Sequence, residues 1–180
     1  MLIPLIAAIA LSGHASPPPA YAKFLGLTLG PCSTADLEAK IGPGKVFVGG
    51  HPNGARGWNF PDCQLSTDAF DRIGNAYLIY YFSIRSWKGR LGACRPFDKD
   101  KTWPLGELRY GESILDCADL LMKAGLNPAL KEYGLECQDV AEVTTRGEKR
   151  KFAYTLTLFG GDDPGDHGLE GIQMIIDPVD

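Results

Sequence analysis

Two stretches of this chain are nearly the same. Residues 35–42 read ADLEAKIG and residues 118–125 read ADLLMKAG. They agree at Ala35/Ala118, Asp36/Asp119, Leu37/Leu120, Lys40/Lys123 and Gly42/Gly125, and a cysteine precedes each, Cys32 and Cys117. Further pairs follow in the same order. LTLG at 27–30 matches LRYG at 108–111, DCQ at 62–64 matches ECQ at 136–138, and AYLIYYF at 76–82 matches AYTLTLF at 153–159. Ordered self-similarity over about 75 residues is the mark of internal duplication. The chain should therefore build the same small unit twice.

That unit starts with a helix. Ser33 followed by Asp36 is an N-cap with a carboxylate three residues on, and Gly42-Pro43 stops the turn. Ser113 and Asp116 repeat the start. Ile114, Ala118, Leu121 and Met122 give the second helix one apolar stripe, ended by Gly125. Strands come next. QDVAEVTT, a turn at RGEK and KFAYTLTLF read as a hairpin, followed by LEGIQMIID. CQLSTDAF, a turn at DRIGN and AYLIYYFSI do the same in the first half, with RLGACRPF as its last strand and KVFVGG as one more. The expected class is α+β: two tandem repeats, each a short helix or helix pair packed on an antiparallel sheet. The repeats are set at 23–98 and 106–180, with 99–105 as linker.

Residues 1–22 are read as a signal peptide. MLIPLIAAIAL carries no charge and is too short to span a bilayer, which needs about 20 residues. Ala20-Tyr21-Ala22 is a small-x-small cleavage pattern, which puts the mature start near Lys23. Ala15, preceded by Gly13, is a second cut of the same kind. Leu11-Ser12-Gly13 is followed by His14 where a lipid-bearing cysteine would stand, so no membrane anchor is expected. The product is expected to be exported, either periplasmic or secreted. The net charge of −4 is uneven. Residues 23–103 hold 11 basic and 7 acidic side chains, residues 104–180 hold 7 and 15. The acidic half of such a dipolar chain would steer it towards a basic protein, and the balance disfavours nucleic acid.

Five cysteines in an exported chain point to disulfides. The duplication pairs Cys32 with Cys63 and Cys117 with Cys137, leaving Cys94 as a free thiol. Pairings that involve Cys94 are the alternative. No cysteine spacing is C-x-x-C, so no metal is expected.

Catalytic signals are sparse. His51 lies in GGHPNGARG, which is neither a phosphate-binding loop nor a lead into a helix. DDPGDHG at 162–168 lacks the spacing of a calcium loop and reads as a solvated turn. No G-x-S-x-G is present, and Cys94 has no histidine placed to activate it. No cofactor is expected, and the chain is not read as an enzyme. The strands say more. In KFAYTLTLF, Phe152, Tyr154, Leu156 and Leu158 alternate with Ala153, Thr155 and Thr157. Carried to the first copy, this register puts Tyr77, Ile79 and Tyr81 on the helix side. Leu78, Tyr80 and Phe82 then lie on the open face, flanked by Trp58, Trp87 and Trp103, as a protein-binding surface. The acidic loop of Asp162, Asp163 and Asp166 would steer the partner.

The stretch FLGLTLGPCSTADLEAKIGPG resembles the opening motif of the superfamily of small outer-membrane assembly lipoproteins and β-lactamase-inhibitor-like proteins. Two tandem copies, each with its own disulfide, are similar to that superfamily's tandem form. The resemblance implies a helix on an antiparallel sheet that binds an enzyme across its concave face. The function expected is inhibition or neutralisation of an extracytoplasmic enzyme or toxin, as an immunity protein does, by steric blockade. An envelope assembly or scaffold protein with a non-enzyme partner is the alternative reading, and an enzyme of unknown class is a third.

Overall fold

The computed structural model describes residues 16–46, 55–73, 76–86, 89–91, 94, 103–145, 147–160 and 168–179. A 3-10 turn (Ala20–Ala22) leads into the small ribbon of β1 (Lys23–Phe24) and β2 (Leu27–Thr28), then helix α1 (Thr34–Ile41). Strands β3 (Arg56–Asn59), β4 (Cys63–Ile73) and β5 (Ala76–Ser86) follow. The rest is helix α2 (Ile114–Lys123), then β6 (Ala129–Lys131), β7 (Gly134–Thr145), β8 (Glu148–Gly160) and β9 (Leu169–Val179). The class is α+β, as the sequence predicts. β3 to β9 form one antiparallel sheet in the order β3-β4-β5-β9-β8-β7-β6.

Local chemistry accounts for the helices. The Asp36 amide donates to Ser33 Oγ at 3.2 Å and the Ser33 amide donates to Asp36 Oδ2 at 2.8 Å, a complete capping box. Leu37 is the fully buried side chain of α1. Beyond the helix, Trp58 Nε1 donates to the Gly42 carbonyl at 2.8 Å, and Arg56 Nε meets Glu38 Oε1 at 3.1 Å. Both contacts tie α1 to β3. In α2 the Leu115 amide donates to Ser113 Oγ at 3.2 Å. Its buried side chains are Cys117 and Leu121. Met122, expected on the apolar stripe, is exposed, because the stripe that meets the sheet runs through Ile114, Cys117, Ala118 and Leu121.

The core lies between one face of the sheet and a cover of helices and loops. β8 gives it Phe152, Tyr154, Leu156 and Leu158, the alternation the sequence predicts. β9 gives Ile172, Met174 and Ile176, and β4 gives Cys63, Leu65, Thr67 and Ala69. The N-terminal segment lies directly on this face. Tyr154 Oη donates to the Leu29 carbonyl at 3.2 Å. Gly30 sits at φ +95, and a Cβ there would come within 2.8 Å of Ile176 Cγ2. Trp103 and Leu105, from the stretch expected to be a linker, are also in the core. The Phe24 ring lies 5.7 Å from that of Trp103 and 5.2 Å from that of Phe82.

The repeat-based disulfides do not form. Cys63 is bonded to Cys94, with their Cα atoms 5.8 Å apart, and Cys32, Cys117 and Cys137 are buried free thiols. Strand geometry gives the reason. Cys63 is level with Ser86, at the end of β5. The Cys32 carbonyl accepts from the Ile79 amide, seven residues back along the same strand. Seven residues span about 23 Å, far beyond the roughly 7 Å Cα limit of a disulfide. Nor is β7 the counterpart of β4: counted outward from the β5–β9 junction, that place belongs to β8. Cys137 on β7 is therefore not Cys63 repeated. RLGACRPF is not a strand over its described residues either, since Arg90 makes a lone bridge to Arg109. Lys45 of KVFVGG likewise makes a lone bridge, to Gly57.

Candidate functional site

Among the described residues, the helices and the N-terminal segment cover one face of the sheet and the other face carries partly exposed side chains, so that second face is where a partner has room. The faces on β5 differ from the sequence expectation. Phe82 is fully buried against Phe24, and Leu78 is buried where β5 bridges to Ser33. Neither belongs to an open surface. The cause is an irregular register. Asp68 pairs with Tyr81 but Ala69 pairs with Ile79, so Tyr80 is an extra residue, and Phe70 is skipped next. A bulge reverses which side chains face the core. Ile79 before the bulge and Phe82 after it both point inward. Tyr80 is half-buried and donates to Asp68 Oδ2 at 3.3 Å. Burial and the Asp68 carboxylate push its phenol pKa up. Trp87, Asp162, Asp163 and Asp166 lie outside the described residues, as do His51 and the rest of 161–167.

Past the bulge the open face can be read in rows across the strands. The first is Gln64, Arg85, Gly171 and Phe159 on β4, β5, β9 and β8. The second is Ser66, Ser83, Gln173 and Thr157, and the third is Asp68, Tyr81, Ile175 and Thr155. Gly171 is the hinge of the first row. A Cβ there would lie 2.8 Å from the Phe159 ring and would also strike the Ile84 carbonyl. The bare glycine lets Phe159 lean across β9 toward β5. Arg85 then sits 5.8 Å from the Phe159 ring centroid, a cation–π distance, and pairs with Glu170 Oε2 at 3.3 Å.

These groups surround a depression of about 350 Å³ lined by Gln64, Ser66, Tyr81, Ser83, Arg85, Phe159 and Gln173. Its rim offers a guanidinium, two amides and three hydroxyls beside two aromatic rings. Such a mix grips polar atoms at the tip of a loop while the rings shed water. Of these residues the sequence pattern singles out Tyr81 alone, and places it on the other face. The signal was in β4, where Gln64, Ser66 and Asp68 alternate with Cys63, Leu65, Thr67 and Ala69.

Nothing comparable marks a catalytic centre among the described residues, where no three His, Cys, Asp or Glu side chains gather into a metal-holding group. The free thiols are not nucleophiles at neutral pH. Burial, with Asp36 adding to it, pushes Cys32 up to about 12. Burial with Glu112 and Asp116 takes Cys117 to about 12, and burial with Asp139 and Glu136 takes Cys137 to about 11. Cys94 is committed to its disulfide. At the far edge, Glu136 accepts from Tyr133 Oη at 2.6 Å and from Gln138 Nε2 at 3.0 Å, with Lys131 at 3.6 Å. The Tyr133 hydroxyl, ahead of Lys131, lowers its pKa. This is a solvated cluster that fastens β6 to β7. Comparison with family models, with characterised proteins and with solved structures gives no match for this chain.

Proposed function

We propose that this is an exported protein-binding module that uses the open face of its sheet to block an extracytoplasmic enzyme or toxin. One observation carries the reading: among the described residues the helices cover one face of a long antiparallel sheet, and the other face carries Tyr81, Arg85 and Phe159 around a depression. Size supports it. Five long strands about 4.8 Å apart and some 11 residues long present roughly 900 Å², about one side of a standard protein interface. Chemistry supports it as well. Tyr and Arg are the residue types that anchor interfaces. The depression suits a protruding loop of the partner that ends in carbonyl or carboxylate oxygens. Blockade would be steric, the loop held in the depression while the sheet covers the partner's cleft. The resemblance of the α1 segment to the inhibitor-like superfamily points the same way.

The test is capture from an envelope fraction with tagged wild type and with Arg85→Glu plus Tyr81→Ala. Leu115→Ser plus Met122→Ser, on the exposed side of α2, serves as control. The open-face variant should lose the partner, with affinity down roughly 30-fold or more. The control should keep it. The purified partner should lose activity when wild type is added. Undiminished capture by the open-face variant removes this surface. An uninhibited partner removes the inhibitory role.

A further inference from the structure

We propose that the export leader is cut between Ala15 and Ser16, and that residues 16–22 remain in the mature protein as part of its fold. Hydrolysis by an export-machinery peptidase adds water across that amide, leaving a carboxylate on Ala15 and an amine on Ser16. The inference rests on the export reading above. Two sites in the sequence fit such a peptidase, Gly13-His14-Ala15 and Ala20-Tyr21-Ala22. The fold distinguishes them.

Tyr21 and Ala22 are both 0% exposed. Tyr21 Oη donates to Asp139 Oδ2 on β7 at 2.8 Å. Its carbonyl accepts from buried Trp103 Nε1 at 3.1 Å, and the Ala22 carbonyl accepts from the Leu29 amide at 2.8 Å. Further out, the Ser16 carbonyl accepts from the Glu142 amide of β7 at 3.2 Å. Both ends of the segment are thus fastened to the same strand. A cut after Ala22 would empty the Tyr21 site and strip the Trp103 N–H of its acceptor. It would also put a new charged amine beside Phe24, which is 0% exposed. A cut after Ala15 removes none of these contacts and leaves the new amine on Ser16, which is exposed.

The full chain with a C-terminal tag is expressed in a secreting bacterial host, and the processed product is read by intact mass and N-terminal sequencing. The expected start is Ser16-Pro17-Pro18-Pro19. A start at Lys23 overturns the proposal and leaves export standing. An unprocessed chain overturns both. Ala15→Leu should abolish the cut; unchanged processing would also overturn it. In parallel, a chain begun at Ser16 is compared with one begun at Lys23. The shorter chain should melt roughly 10 °C lower or fail to fold, as expected for loss of a buried aromatic. Equal melting temperatures would remove the physical basis of the inference.

Discussion

Phe82→Ala separates the two faces of the sheet more sharply than any other single change. Phe82 has no exposed surface, packs 5.2 Å from Phe24, and shares a row with Met174 and Leu156 under the helical cover. Truncation of a buried Phe costs about 3–5 kcal/mol, and the tilted Phe24–Phe82 pair places this site in the upper half of that range. Against a total stability of about 5–15 kcal/mol this is a large fraction. At about 2–4 °C per kcal/mol for a chain of this size, the melting temperature should fall by roughly 8–20 °C. Tyr81→Ala, one residue away on the open face, should cost no more than about 1 kcal/mol. Urea unfolding followed by tryptophan fluorescence and by far-UV circular dichroism measures both. A Tyr81→Ala loss larger than that of Phe82→Ala would refute the face assignment, and with it the site built on Tyr81, Arg85 and Phe159.

Two more outcomes follow from the cysteines. Cys63–Cys94 closes a loop with a sequence separation of 31, so Cys63→Ala plus Cys94→Ala should destabilise by about 3.5 kcal/mol. Peptide mapping without reductant should find that link and neither Cys32–Cys63 nor Cys117–Cys137. The other thiols titrate near 9 when unfolded and at about 12, about 12 and about 11 in the fold, for Cys32, Cys117 and Cys137. A folded pKa raised above the unfolded one gives stability that is full below pH 9 and is lost as pH rises toward 11–12. Unfolding free energy should therefore decline from about pH 9 upward, and iodoacetamide at neutral pH should label the three thiols only after denaturation. A stability that stays flat through this window would contradict their burial.

The helices and the second-half strands were legible because their signals are local. Ser33 and Asp36 cap each other within one turn, and the Thr alternation in β8 needs no knowledge of its neighbours. The first-half surface was not legible because its register is set by pairing. The extra residue at Tyr80 reverses the faces within β5, and AYLIYYF gives no sign of it. Transfer from AYTLTLF failed for a second reason. β5 joins β4 to β9 and β8 joins β9 to β7, so the two matching stretches hold different places in the sheet. The disulfides failed with them, since similar sequence settings did not mean similar heights along a strand. Phe159 and Arg85 meet only because Gly171 lies between them, and those three residues come from three different strands.

The place of β9 also sets an order of events. It is last of these strands in the chain yet central in the sheet, and it alone joins the β3–β5 side to the β8–β6 side, over the five pairs from Tyr81–Ile175 to Arg85–Gly171. Until it arrives, β5 and β8 each present a bare edge to solvent. Closure must bring together residues some 90 positions apart, a long-range contact of the kind that slows folding. An elongating chain would thus hold the sheet in two pieces, and would complete it only after its last strand had been made.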